Sequence, residues 1–222
     1  MTVLAPREAY RLWAPLYRDE TAISFLDDRL VSELSPATVG ARLLDAGCGT
    51  GRRLDGASAA TAVGVDLSIE MLAASDRSHP LVAGDLRRLP LAAGSFDLVW
   101  CRLAIGHLAE IGAAYGELAR VCRPGGTVVV TDFHPDAVAA GHRRTFLDAA
   151  GEVREVEHHV HSLESHVAWA ALAGLRLRAS REGRVGPEIR AFYQAAGREE
   201  AYRAQLGLPL VLALAFQRDG AG

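Results

Sequence analysis

The chain has 222 residues, half of them hydrophobic, and sets 24 Lys and Arg against 27 Asp and Glu for a net charge of -3. That composition fits one α/β domain with a sizeable core, and its lack of a basic excess argues against nucleic acid as a partner. No run approaches the roughly 18–20 apolar residues of a membrane span, and residues 1–12 lack the basic-then-apolar pattern of a secretion signal. In chain order, residues 6–34 read as helix, opened by Pro6, with apolar side chains recurring from Leu12, Trp13 and Leu16 to Ile23, Phe25, Leu26 and Leu30. Pro15 lies inside that pattern, so two shorter helices are expected. From residue 42 short apolar runs alternate with helical stretches, the signature of βαβ units. Strands are predicted at 42–45, 62–66, 81–83, 96–101 and 127–132, with helices starting near Gly51, Ser68 and Ile111. Ser68 suits an N-cap, and Pro124-Gly125-Gly126 forces a turn before the fifth strand. Beyond Pro135 a helix over 163–173 ends at Gly174, a left-handed cap. Strands follow near 175–179 and 208–217, with a helix over 187–205 between them.

Cys48, Cys101 and Cys122 are odd in number and never at C-x-x-C spacing. They read as small core hydrophobes in a reducing cytoplasm.

The most informative stretch is Leu43-Leu44-Asp45-Ala46-Gly47-Cys48-Gly49-Thr50-Gly51. A hydrophobic strand runs into glycines at alternate positions, which permit positive φ and a close ligand. The spacing is G-x-G-x-G, whereas dinucleotide folds use G-x-G-x-x-G. Asp45 stands at the turn, where a carboxylate repels a pyrophosphate and attracts an ammonium group. Asp66, 21 residues on, ends the next strand as does the ribose-binding acid of nucleotide folds. The pair describes a nucleoside joined to an amino acid, and it speaks against a nicotinamide cofactor.

The stretch resembles the first motif of the class I S-adenosylmethionine-dependent methyltransferases. Gly64-Val65-Asp66-Leu67-Ser68 with Met71-Leu72 resembles their second motif, and Gly84-Asp85-Leu86-Arg87-Arg88-Leu89-Pro90 their third. Ser95-Phe96-Asp97-Leu98-Val99 resembles the fourth strand, and Leu118 to Gly126 the turn into the fifth. The ordered set covers residues 40–135. It implies a Rossmann-like, doubly wound sheet of seven strands, mostly parallel, with a reversed last strand. One domain over 1–222 is expected: a helical cap at 1–35, the cofactor-binding core at 40–135, and an acceptor-side segment with the last strands at 136–222. The resemblance implies S-adenosylmethionine as cofactor. Asp45, Ala46, Gly47 and Gly49 would hold its methionine end, Asp66 its ribose, with Leu67 and Met71 packed on the adenine. Asp85 would accept from the adenine amine beside Leu86, and Cys101 would offer backbone to the amino-acid end. Tyr17, in the Tyr10–Tyr17 stretch, would reach the cofactor from the cap. Capping of local loops is the competing reading for both Asp45 and Asp66, and core packing for Tyr17.

For the acceptor, a base is needed only if the nucleophile must lose a proton, and histidine suits that near neutral pH. His134 follows the fifth strand and His107 the fourth. Both are catalytic candidates, with a packing role open for His107. Arg143, Arg144 and His161 are candidates for acceptor binding, solvation being the plainer reading of the arginines. His158, His159, His161 and His166 raise a metal question, but no cysteine or paired carboxylate completes a ligand set, and no metal is expected. The expected activity is methyl transfer to a small molecule, oxygen favoured over nitrogen or carbon, in secondary metabolism, by a monomer or homodimer. A cofactor-binding protein with a non-methylating reaction, or a binding module without chemistry, shares the same motifs.

Overall fold

The leucine- and valine-rich runs become strands buried on both faces, because alternate side chains of a strand point to opposite sides. The computed structural model describes residues 2–17, 20–76 and 78–220. The first half holds β1 (Thr2–Leu4), α1 (Pro6–Trp13), α2 (Ala22–Leu34), β2 (Arg42–Ala46), β3 (Thr61–Asp66), α3 (Ile69–Ala73), β4 (Leu81–Ala83) and β5 (Phe96–Arg102). Next come α4 (Gly112–Val121), β6 (Cys122–Phe133), α5 (Pro135–Ala139), β7 (Thr145–Leu147) and β8 (Val153–Val156). The chain ends with α6 (Leu163–Leu172), β9 (Leu175–Arg184), α7 (Arg190–Ala195), α8 (Glu199–Ala204) and β10 (Pro209–Arg218).

Seven strands form the main sheet in the order β4-β3-β2-β5-β6-β10-β9, and β10 runs antiparallel to both of its neighbours. The other pairings are parallel. This is the expected Rossmann-like sheet with its reversed last strand. Leu44, Val99, Val128 and Val130 pack on one face against Tyr115 and Leu118 of α4 and Ala170 of α6. Leu43, Leu98, Trp100 and Val129 pack on the other against Val31 of α2. Among the described residues no helix is long and apolar enough to cross a membrane. All three cysteines are free and buried.

Local signals hold where a cap or glycine decides the geometry. Ser68 caps α3, its Oγ accepting from the Met71 N–H at 3.2 Å. Gly174 takes φ +76 after α6. The helix expected near Gly51 is only a 3₁₀ turn, Arg52–Leu54. Gly51 is left-handed at its start and Gly56 follows closely, so no helical run can propagate. The helix expected over 187–205 is broken into a 3₁₀ turn, α7 and α8, with Gly197 at φ +66 between the helices.

A second, three-stranded sheet went unpredicted. It has the order β1-β8-β7, with β1 parallel to β8 and β7 antiparallel to it. Strands of three or four residues are too short to display a period. Against it lies α1, around Ala9, Phe146 and Val156. The Trp13 ring stacks on Phe146 with centroids 4.9 Å apart. The segment 1–35 therefore divides. β1 and α1 join β7 and β8 in a small lid, whereas Leu26 and Leu30 of α2 pack against Val211 and Ala213 of β10.

Candidate functional site

The lid stands over the carboxyl ends of β2, β3 and β5, where parallel α/β sheets take their ligands. The loop leaving β2 places Gly47, Gly49 and Gly51 at φ +84, +59 and +79. Gly47 donates its N–H to the Val65 carbonyl at 2.7 Å. A Cβ there would lie 2.4 Å from the Ala104 Cβ, so only glycine permits this approach. The space between loop and lid is a cavity of about 870 Å³, part of it open solvent at the mouth. Gly47, Gly49, Asp66, Leu67, Met71, Asp85 and Leu86 line it. So do Tyr10 and Tyr17, Arg144, and Arg102 to Ala104 with His107.

Three carboxylates differ sharply in their surroundings. Asp45 is wholly buried at the end of β2, and neither side-chain oxygen has a hydrogen-bond partner. Burial pushes its carboxyl up to about 6, although Arg102 and Arg53 pull the other way. Asp66 accepts from the Gly49 N–H at 2.7 Å and the Ser68 N–H at 2.8 Å. It therefore does cap its loop, and burial raises its carboxyl against those bonds. Asp85 is clasped by Arg87, whose Nη2 donates at 2.6 Å and whose backbone N–H donates at 2.8 Å. The Arg87 side chain holds Asp85 below the ordinary carboxylate range.

Behind this wall lies a charge network that sequence reasoning missed. Arg102, at the end of β5, donates to Asp27 of α2 from Nε at 3.1 Å and Nη2 at 2.7 Å. Arg53 approaches the same oxygen at 3.2 Å, and the Thr131 hydroxyl donates to the other at 2.6 Å. Arg102 also pairs with Asp28. The acidic pair Asp27-Asp28 on an otherwise amphipathic helix was the available signal, but it looks like any solvated pair.

The acceptor candidates scatter. His107 lines the cavity. Its Nδ1 donates to the Glu157 carbonyl at 3.1 Å, so its Nε2 accepts from the Tyr10 hydroxyl at 2.9 Å. Burial, aided by the neighbouring Arg144, pushes His107 down to about 3. His134 requires a correction: it is the N-cap of α5, its Nδ1 accepting from the Asp136 N–H at 3.1 Å, and it does not line the cavity. The pattern Phe133-His134-Pro135 marks a helix start, and the cap consumes the lone pair a base would need. His161 donates to the Leu108 carbonyl at 2.8 Å and is buried behind the wall. Arg143 pairs with Glu155 at 3.7 Å and is likewise no part of the lining. Arg144 does line it, its Nη1 donating to the Leu103 carbonyl at 2.7 Å. Leu103 holds the unusual φ of +52 that aims this carbonyl. Ala46 and Cys101 are wholly buried strand ends behind the lining, which Arg102, Leu103 and Ala104 form instead. His158 and His166 flank the buried Asp132 at 3.2 and 3.4 Å, while His159 lies 4.0 Å from Glu157. Among the described residues no cluster of three or more His, Cys, Asp or Glu could hold a metal ion.

Residues 44–130 match a family described as a methyltransferase domain. The chain is 33% identical over 178 residues to a demethylmenaquinone methyltransferase of Mycobacterium sp. (strain KMS), covering 73% of this chain and 77% of that protein. The chain belongs to the class I S-adenosylmethionine-dependent methyltransferases. It is also 34% identical over 178 residues to a malonyl-[acyl-carrier protein] O-methyltransferase of Dechloromonas aromatica (strain RCB), covering 76% of this chain and 64% of that one. The chain thus spans less than two thirds of the length of the malonyl relatives it matches. Its fold is shared with an S-adenosylmethionine-dependent methyltransferase from Mesorhizobium loti at a TM-score of 0.67 and 21% identity, covering 90% of this chain and 99% of that one.

S-adenosylmethionine is the cofactor of this methyltransferase family, and the residues present fit it. Asp45, like Ala46, lies behind the cavity lining and not in it, but its orphaned, buried carboxylate fits the counter-charge that a cationic ligand needs. Asp66 faces the cavity with acceptor capacity to spare beyond its two backbone donors. Leu67, 49% exposed, and Met71 offer apolar surface beside it.

Proposed function

We propose that this methyltransferase moves a methyl group from S-adenosylmethionine to an oxygen of a small-molecule acceptor lodged beneath the lid. The observation that carries this reading is the cavity itself: it is lined by the family motifs, by His107 from the turn after β5, and by Tyr10, Tyr17 and Arg144 from two distant segments at the lid. The cofactor supplies, when bound, a methyl on an activated sulfonium. The protein's part is then mainly to orient the acceptor and exclude water. Tyr10 and Tyr17 close the cavity with aromatic faces, in an aromatic cluster with Trp13. Asp45, Gly47, Gly49, Asp66 and Met71 serve the cofactor end, with Asp85 and Leu86 further along. Arg144 is the acceptor contact among the arginine and histidine candidates, since Arg143 and His161 point to other partners. Oxygen as the methylated atom is supported by the relative named for O-methylation. Three free, buried cysteines suit a reducing cytoplasm.

The test is product analysis. The purified chain is incubated with S-adenosylmethionine and a panel of small alcohols, phenols and acids, and S-adenosylhomocysteine and methylated product are quantified. Stoichiometric formation of both supports transfer. Cofactor binding by calorimetry without S-adenosylhomocysteine above an acceptor-free blank would favour the binding-module reading.

A further inference from the structure

Oxygen acceptors divide into those that must lose a proton and those already deprotonated. We propose that the acceptor presents a carboxylate, seated on Arg144, and that Tyr10 and His107 orient it without acting as a base. This rests on methyl transfer being the activity.

The first argument is charge. Arg53, Arg102 and Arg87 line or flank the cavity, and each is neutralised by a carboxylate, Asp27, Asp28 or Asp85. Among the described residues Arg144 has no carboxylate partner. One nitrogen is fixed by the Leu103 carbonyl, and the guanidinium lies 6.0 Å over the Tyr10 ring. The Tyr10 hydroxyl is its other neighbour, so among the described residues no carboxylate meets this planar fork, and a carboxylate ligand matches it. Arg7 and Arg52 line the same cavity without an ion pair, but among the described residues no hydrogen bond fixes either. Arg144 is the cation held in place.

The second argument is the lack of a base. His107 is the imidazole of the cavity wall, and both of its nitrogens are engaged, one by a carbonyl and one by the Tyr10 hydroxyl. Its pKa near 3 agrees with that geometry. Burial raises the Tyr10 phenol above its ordinary value, so it stays neutral. His134 caps a helix elsewhere. Among the described residues the wall offers a hydroxyl acceptor no free imidazole to take its proton, and its carboxylates are held elsewhere, Asp66 by the Gly49 and Ser68 N–H groups and Asp85 by Arg87. A carboxylate has none to give: its oxygen forms the new O–C bond as the donor's C–S bond breaks, and that electron pair stays on sulfur. Sulfonium and carboxylate charges cancel, leaving a neutral ester and a neutral thioether. The ester no longer pairs with Arg144, which favours its release.

The experiment uses calorimetry on the full chain, first with S-adenosylhomocysteine and then, in the saturated protein, with hexanoate, hexanol and methyl hexanoate. Hexanoate should bind about tenfold more tightly than the alcohol or the ester, the order expected for a charge-assisted contact. Arg144→Gln should erase that preference while leaving S-adenosylhomocysteine affinity unchanged. Arg144→Lys, which keeps the charge and loses the fork, should fall between, and it serves if the Gln variant folds poorly. Turnover of an acid acceptor should be flat from pH 6.5 to 9. Equal binding of alcohol and acid, an acid preference that survives Arg144→Gln, or a rate that climbs with pH on an alcohol acceptor would each overturn the proposal. Failure of S-adenosylhomocysteine to bind would instead overturn the function on which it rests.

Discussion

Asp45 shows how a single buried carboxylate can burden the cofactor-free protein. It is wholly buried with no hydrogen bond, and its pKa is pushed up to about 6 by burial. A raised folded-state value means the stabilising contribution is present below the ordinary carboxylate range near 4 and is lost as pH rises through about 6. The difference corresponds to about 3 kcal/mol at neutral pH. Asp45→Asn should therefore raise the Tm of the cofactor-free protein at pH 7.5 and weaken S-adenosylmethionine binding by about tenfold or more. Scanning calorimetry and titration read the two effects, and an unchanged Tm would show that the ionised carboxylate carries no such penalty. Affinity for the cofactor should also rise between pH 5 and 7, because binding requires the ionised form. His134 makes the opposite case. His134→Ala should lower stability by about 1 kcal/mol through loss of a cap and leave kcat unchanged; a large drop in kcat would return it to the active site.

At the scale of elements, the lid holds a much smaller buried cluster than the main sheet does. Its private core is small: Ala9, Phe146 and Val156, with Trp13 stacked on Phe146. Trp13→Ala removes that ring and should cost about 3 kcal/mol, confined to the lid. Amide exchange should then accelerate in Thr145–Leu147 and Val153–Val156 while β2, β5 and β6 keep their protection. Uniform acceleration would mean that the lid and the main sheet unfold as one unit. Because Tyr10 and Arg144 enter the cavity from this lid, the same variant should raise the KM for the acceptor more than it lowers cofactor affinity.

For the whole molecule, two buried charge clusters tie distant segments together. Asp27 joins α2 to the end of β5, to Thr131 on β6 and to Arg53 in the turn after β2. Asp132 joins β6 to His158 and to His166 of α6, which is in turn bonded to Tyr115 at 2.9 Å. Burial opposes the charge of both aspartates, but Arg53 and Arg102 more than offset it for Asp27, and the two histidines do so for Asp132. A lowered folded-state pKa contributes stability above the ordinary range and loses it as pH falls below about 4. That sign is opposite to that of Asp45, so the two aspartates pull the stability of the cofactor-free protein in opposite directions as pH changes. Asp27→Ala leaves Arg53 and Arg102 with the part-exposed Asp28 alone and should cost about 3 kcal/mol in urea unfolding. A smaller loss, under about 1 kcal/mol, would mean that water reaches Arg53 and Arg102.

The main sheet was legible because its signals are local. Apolar runs such as Leu43-Leu44 and Val128-Val129-Val130 declare buried strands by themselves, and glycine spacing with acids at strand ends declares the cofactor loop. Gly47, Asp66 and Met71 do come together in the cavity. What the sequence left undecided depends on partners far along the chain. Adjacent arginines part company, Arg144 into the cavity wall and Arg143 toward Glu155, because the chain entering β7 alternates its side chains across two faces. Residues 2–4 pair with 154–156, a match that no strand of three residues can announce. Whether Asp27 is solvated or buried depends on Arg102 arriving 75 residues later. The amino-acid sequence by itself determined the sheet and the glycine loop that lines the cavity, since periodicity and turn chemistry act over a few neighbouring residues. Only the tertiary structure decided which charges are cancelled and which, at Asp45 and Arg144, have no ion pair among the described residues, because a charge is cancelled by what lies beside it in space.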